Sequence, residues 1–459
     1  MGPFFRSKNS TEKMMLNLLI SLIPMILFVF YKNGIVPYIN GKINFLQMIY
    51  PLLFMIIGTF ASFITETLYG IILKKRNYIK KSYSIFPGLF LSLILPLNTP
   101  IYILIIGCII ASISKIVSHG FGRNILNPAL VGYLVILIIF GSSFSTDTYF
   151  NKYELDTISS STPLTNEAMV SGIGSYDTLV KPYGSLLNFF IGTIPGSMAE
   201  TSTLLCLVAF IYLVITKTIK WEISVTYVST VFIITYVIGT LLGQGFYYPL
   251  FHILSGGLMF GAVFMVTDPV TTCVTPIGKI LQGMLLGIFT VLFRFFLTEG
   301  VAFSILITNL LVPFLDKIGS KARFDFMKSF GYFVLIWLIV IILSMLIAMK
   351  YRGNGIDDPN FNIISKDKEN NRITYVVTQK GYTGNIKASI VVENDRIISL
   401  DVLSHRETKS KYQLIIDDDY INQLIVNQDN LDNLDAVSSA TVTANAFKSM
   451  ITNVMRDYK

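Results

Sequence analysis

The chain has 459 residues, of which 53% are hydrophobic and only 14% charged, with a mean hydropathy of +0.61. Soluble domains carry charge on about a quarter of their residues, so these proportions exclude an ordinary soluble protein and predict a membrane protein. Much of the net charge of +8 sits in short loops between apolar runs, where it reports topology; no nucleic-acid partner is expected.

In chain order, Arg6, Lys8 and Lys13 precede a first apolar segment with no A-x-A-like cleavage site, which predicts a retained first helix. Apolar runs predict eleven membrane segments: 14–31, 45–72, 83–96, 100–117, 125–142, 188–216, 223–242, 249–267, 278–297, 300–315 and 331–349. Several are short or interrupted by Gly or Pro, as half-helices are. The basic loops Lys74, Lys75, Arg76, Lys80 and Lys81, and Lys317, Lys321, Arg323 and Lys328, are assigned to the cytoplasm. Counting spans from either anchor places the N-terminus inside. The same count puts the loop 143–185 and everything after the last span on the outer face, giving a multi-pass protein of the cell membrane.

Two segments read alike. Pro87-Gly88-Leu89 leads to Pro96 and then Thr99-Pro100-Ile101, while Gly256-Gly257-Leu258 leads to Asp268-Pro269 and then Thr275-Pro276-Ile277. Each is a Gly-opened, Pro-terminated apolar segment followed by two more spans, entered from opposite sides by the span count. That pattern predicts an inverted repeat around a midplane site. The expected fold is therefore a polytopic α-helical membrane domain of about ten helices (1–325), one further membrane helix (326–353) and a small α+β extracytoplasmic domain (354–459). Alternating apolar positions in 372–377, 386–392 and 396–403 mark strands of that last domain. Cys108, Cys206 and Cys273 lie in or beside apolar runs without C-x-x-C spacing, so no metal or iron–sulfur site is expected.

Asp156-Thr157-Ile158-Ser159-Ser160-Ser161-Thr162 and Asp435-Ala436-Val437-Ser438-Ser439-Ala440-Thr441 both read Asp-x-x-Ser-Ser-small-Thr. Alone, either is a capped turn or a Ser-rich loop. Together they resemble the acceptor sequence Asp-x-x-Ser-Gly-Ala-Thr, at which a flavin transferase esterifies FMN phosphate onto a threonine hydroxyl. The span count places both on the outer side. Ser160 and Ser439 stand in place of the usual Gly, and Ser161 in place of Ala. A helical pattern from about Ala444 would set Thr441 beside a helix N-terminus, which favours an anion.

Gly122-Arg123-Asn124-Ile125-Leu126-Asn127-Pro128-Ala129, Ile194 to Ser202, Phe264 to Thr271 and Glu299 to Phe303 resemble, in order, segments of RnfD, the D-type membrane component of the Rnf electron-transport complex. The B-type component of the sodium-translocating NADH:quinone reductase is its sister family. Lys380 to Lys387, His405-Arg406-Glu407-Thr408 and Asp435 to Thr443 resemble the FMN-binding domain of RnfG, the G-type component. The resemblance implies up to two covalent FMN groups, on Thr441 and Thr162, with a noncovalent flavin such as riboflavin near Arg123 and Asn127. It implies redox-coupled transport of Na⁺ or H⁺, other Rnf-type membrane subunits, an NADH- or ferredoxin-oxidising subunit and a flavin transferase. This chain has no dinucleotide fingerprint and no ferredoxin-type cysteines, so it is expected to be one part of a redox-driven translocase and incomplete alone; its catalytic residues are not assigned. Asp268 and Glu299, ionisable groups at membrane depth, are candidate ion ligands, with helix capping or pairing to Arg294 as the alternative. Competing functions are a flavin electron conduit without pumping and a non-redox solute transporter.

Overall fold

The computed structural model describes residues 10–74, 82–118, 120, 122–141, 176–194, 196–198, 202–296, 300–322, 326–353, 361–369, 372–381, 384–407, 409–428, 431, 437 and 440–458. It divides into two compact units, Met1–Lys350 and Tyr351–Lys459.

The first unit is helical. Helix α1 (Thr11–Phe30) is capped by Ser10, whose hydroxyl accepts the Lys13 N–H at 3.3 Å, and continues through a π-turn to Ile39. A capping box of Asn44 and Gln47 opens α2 (Phe45–Ile72). There follow α3 (Ile85–Ile94), α4 (Ile101–Val117), α5 (Pro128–Phe140), α6 (Thr203–Ile215), α7 (Trp221–Leu241), α8 (Tyr247–Leu254), α9 (Leu258–Phe260, running on as a π-turn to Met265), α10 (Pro276–Phe296), α11 (Val301–Ala322) and α12 (Phe326–Gly353). Among the described residues five stretches are long and apolar enough to cross a membrane: Thr11–Ile39, Phe45–Ile72, Trp221–Leu241, Pro276–Phe295 and Val301–Lys321. A sixth results if α8 and α9, bent by 63°, count as one. The chain is a multi-pass membrane protein.

Three expected spans take other forms. The segment 83–96 holds only the ten residues of α3, about 15 Å of helix against roughly 30 Å of hydrocarbon. The segment 188–216 is not one helix. A short helix, Leu186–Ile191, stops at Gly192, whose φ of 102° only glycine adopts readily. A Cβ there would lie 2.7 Å from the Ser202 Cα, so the chain doubles back tightly before Ser202 caps α6. The segment 249–267 breaks at Ser255 to Gly257, where Gly256 has φ 67°.

Helix α2 packs on α3 and α4, and α4 on α5; later in the chain α7 packs on α10 and α10 on α11. Backbones touch at the crossing of α4 and α5, where a Cβ on Gly132 would sit 2.6 Å from the Gly107 carbonyl oxygen. Small residues permit that approach, and close backbone packing is how helices associate where lipid is as apolar as they are.

Between α2 and α4 lies a charge pair that the apolar run of each helix conceals. Lys115 Nζ is 2.8 Å from Glu66 Oε1, and their side chains are 2% and 0% exposed. The ammonium also donates to the Ser82 carbonyl, and the Ser82 hydroxyl donates to Glu66.

The second unit is a four-stranded antiparallel sheet in the order β1-β2-β3-β4, formed by β1 (Phe361–Glu369), β2 (Arg372–Lys380), β3 (Asn385–Glu393) and β4 (Arg396–His405). Strand β3 alternates strictly, burying Ile386, Ala388, Ile390 and Val392. Against that face pack α13 (Lys409–Asp417), α14 (Tyr420–Val426) and α15 (Thr441–Tyr458), the last through Ala444, Phe447, Ile451 and Val454 at three- and four-residue steps. Strand β1 was not expected from its sequence. Lys366, Asp367, Lys368 and Glu369 make it read as a loop, yet charge of this kind suits a sheet edge.

Removing one partner of a buried ion pair leaves an uncompensated charge, at a cost of about 3–5 kcal/mol. Thermal unfolding in detergent should therefore shift downward for Glu66→Leu and for Lys115→Met singly, while the double variant recovers most of the loss. A double variant as unstable as the sum of the singles would show that the two charges are not coupled.

Candidate functional site

The short helix α3 and the bent α8–α9 segment meet through aromatic rings. Phe90 of α3 lies 6.3 Å and 6.4 Å, centroid to centroid, from Phe260 and Phe264 of the α9 segment. Beside them opens a cavity of about 70 Å³, lined on its apolar side by Phe90 and Phe264 and on its polar side by Lys115, Asn124, Asn127 and Asp268. The Asn124 side-chain oxygen is buried and has no hydrogen-bond partner among the described residues. Asn127 caps α5, accepting the Ala129 N–H at 3.1 Å. The Asn309 amide, turned so that its nitrogen faces acceptors, donates to Ile305 and Thr271 carbonyls at 3.2 Å each, and its oxygen accepts the Asn127 N–H at 3.3 Å. The Gly122–Ala129 and Phe264–Thr271 segments, distant in sequence, are thus one site.

Asp268 stands where the α9 segment ends. Its carboxylate accepts the Val270 N–H at 3.2 Å and the Thr271 hydroxyl at 3.4 Å, which closes a turn after the helix. Arg294 donates to the carbonyls of His252 and Ser255, the open C-terminal end of α8. Glu299, the other candidate carboxylate, lies outside the described residues. Sequence reasoning missed Glu66 and Lys115, whose pair reaches the cavity through Lys115. The available signal was one charge in each of two otherwise apolar helices. It also missed Asp316 of α11. That carboxylate accepts the Val274 N–H at 2.9 Å, the Thr275 N–H at 2.9 Å and the Thr275 hydroxyl at 2.7 Å, so it fixes the turn before α10.

In the tail, helix α15 begins earlier than the expected start near Ala444. Ala444 N–H bonds to the Ala440 carbonyl at 2.9 Å, making Thr441 the first helical residue. Ala440 and Ala444 are both buried, 2% and 0% exposed, so the core draws the helix back to the motif itself. Thr443, two residues on, is fully buried and donates its hydroxyl to Glu407 at 2.6 Å. The backbone of Thr441 is described and its side chain is not. Asp435, Ser438 and Ser439 of this motif, and Asp156, Ser159, Ser160, Ser161 and Thr162 of the other, lie outside the described residues. An FMN phosphate on Thr441 would meet the unsatisfied N–H groups of a first helical turn, so the local backbone fits the group.

Two family models match. Residues 1–325 match the NQR2, RnfD, RnfE family, and residues 381–456 match the FMN-binding domain. The chain is 31% identical to the D component of the proton-translocating ferredoxin:NAD(+) oxidoreductase complex of Clostridium ljungdahlii, over 70% of this chain and 94% of that protein. It is 29% identical to the D component of the Na(+)-translocating ferredoxin:NAD(+) oxidoreductase complex of Acetobacterium woodii, over 71% and 95%. With the B component of the Na(+)-translocating NADH-quinone reductase of Chromohalobacter salexigens it shares 33% over 53% of this chain and 61% of that protein. The chain therefore belongs to the NQR2, RnfD, RnfE family and carries, fused behind the family's membrane domain, an FMN-binding domain of the RnfG type.

Proposed function

We propose that the chain is a membrane subunit of an Rnf-type ion-translocating complex and relays electrons through FMN esterified to Thr441 and Thr162, coupled to Na⁺ or H⁺ movement. The observation that carries the reading is Thr441 at the first position of a helix packed into the core of an FMN-binding domain. The FMN group, when bound, supplies the electron-accepting chemistry. The chain supplies the acceptor hydroxyl: its oxygen forms the bond to the phosphorus of an activated FMN, the bond from that phosphorus to its leaving group breaks, and the hydroxyl proton passes to a base of the transferase. The α15 N-terminus then favours the phosphodiester charge.

A noncovalent flavin near Arg123 and Asn127 belongs to the reading as well, but the cavity there, about 70 Å³ against the roughly 150 Å³ that takes one benzene ring, would have to widen to admit a tricyclic ring beside Phe90, Phe264 and Asn124. The matching order of short segment, Thr-Pro turn and two helices supports the inverted repeat, while an N-terminus inside and a tail outside rest on the two basic loops facing the cytoplasm. Electrons would enter from an NADH- or ferredoxin-oxidising partner. Asp268 and Glu299 are retained as candidate ion ligands; the complexes to which the D-type relatives belong are named for proton or sodium translocation.

A second reading, an electron conduit without pumping, has its own support. Asp268, the candidate ligand among the described residues, is engaged in closing its own turn, so a cation would have to compete with those donors or add to them.

Intact-mass analysis after co-production with a flavin transferase should show two FMN adducts, one lost in Thr441→Ala and the other in Thr162→Ala. A chain that gains no flavin mass would refute the relay. For coupling, proteoliposomes holding the whole complex should take up sodium or protons during turnover, and Asp268→Asn should slow that uptake more than it slows electron flow. Equal slowing of both, or electron flow with no sodium or proton movement, would favour the conduit.

A further inference from the structure

Glu407 follows the last strand of the tail and is only 7% exposed. Each of its carboxylate oxygens accepts a hydrogen bond: Oε1 from the Gly384 N–H at 3.3 Å and Oε2 from the Thr443 hydroxyl at 2.6 Å. Its own N–H points to His405 Nδ1 at 3.3 Å, and the His405 ring stacks on Tyr412, 3.7 Å between centroids. One buried carboxylate thus joins the turn between β2 and β3, the end of β4 and the first turn of α15. The turn is built around it. Gly381 N–H bonds to the Gly384 carbonyl at 2.8 Å, and a Cβ on Gly381 would lie 2.5 Å from Glu407 Oε1.

This is an unusual way to start a helix. A helix N-terminus is ordinarily capped by the side chain of the residue just before it, Ser, Thr, Asp or Asn. Here that residue is Ala440, which has no side chain to cap with, and Glu407, 36 positions before Thr443, ties the turn through the Thr443 hydroxyl instead of through a backbone N–H. A tie to a side-chain hydroxyl holds the turn without using its amides. Of the two threonines in Thr441-Val442-Thr443, it also commits Thr443 to the core.

We infer that Glu407 is a positioning residue for the flavin anchor: it fixes the first turn of α15 around Thr441 and keeps a buried carboxylate bonded two residues from the anchor, lowering the potential at which the tail accepts electrons. The inference rests on the reading of Thr441 as the anchor. Adding an electron next to a fixed negative charge in a poorly screened site is disfavoured, so removing the charge while keeping the shape raises the potential.

The test uses the full chain carrying Thr162→Ala, so that the tail holds the one covalent flavin, co-produced with a flavin transferase. Glu407→Gln keeps an acceptor for Thr443 and should load as fully as the parent, with its flavin midpoint potential shifted to a more positive value. Glu407→Ala should lose the clamp and load severalfold less. A Gln variant with the parent's potential overturns the inference, as does an Ala variant that loads like the parent. Should the Ala variant fail to fold, as limited proteolysis would report, the potential of the Gln variant decides. A parent with no flavin in the tail refutes the Thr441 reading itself, an outcome distinct from either.

Discussion

Hydrocarbon offers no hydrogen bonds, so every interruption of a helix at membrane depth has to be closed by the protein's own groups. In the second half of the membrane unit three side chains supply this closure. Arg294 takes the carbonyls at the end of α8, Thr272 donates to the Val266 and Asp268 carbonyls after α9, and Asp316 takes the N–H groups before α10. With its breaks closed in this way, the chain can keep segments too short to span. Those segments bring Phe260 and Phe264 against Phe90 and leave the polar-tipped cavity beside them. Closure concerns the backbone; buried side-chain atoms without partners among the described residues occur in both halves, the Asn98 and Thr99 oxygens in the first and the ring nitrogens of His252 in the second.

The same accounting bears on the carboxylates. A carboxylate that already accepts an N–H and a hydroxyl has been drawn into the backbone, and a cation can use it only by competing with those donors or by adding to them. Asp268 remains within electrostatic reach of Lys115. Lys115 is itself held by Glu66. A charge arriving in the cavity would therefore act on three linked groups, and replacing any one of them changes the field felt by the others.

Much of this was legible in the sequence where periodicity and breakers act locally. The long apolar helices, the strict alternation of β3 and the breaks at Gly and Pro follow from side-chain spacing and glycine's freedom. What escaped depends on distance. Segment 188–216 reads as one apolar run because the reason for its break, the return of Ser202 against Gly192, is a tertiary contact. Strand β1 is polar and acquires its conformation from pairing with β2. Helix α15 starts at Thr441 because Ala440 and Ala444 are buried and Glu407 reaches Thr443, contacts that no local window contains. Glu66 and Lys115 were visible as charges in apolar runs, but only the packing of α2 on α4 makes them a pair.

The fusion adds a last constraint. Alignment with the D-type relative from Clostridium ljungdahlii takes in 94% of that protein but 70% of this chain, and the FMN-binding domain falls in the part left over. A soluble carrier on a separate chain meets its membrane partner at a rate set by concentration. A carrier on the same chain meets it at an effective concentration set by the connecting segment, commonly in the millimolar range for short tethers. Esterification to threonine would do for the flavin what fusion does for the domain, holding the redox group where dilution cannot remove it. Both devices answer one physical problem, the loss of an electron carrier by diffusion, and on the proposed reading this chain applies them in series.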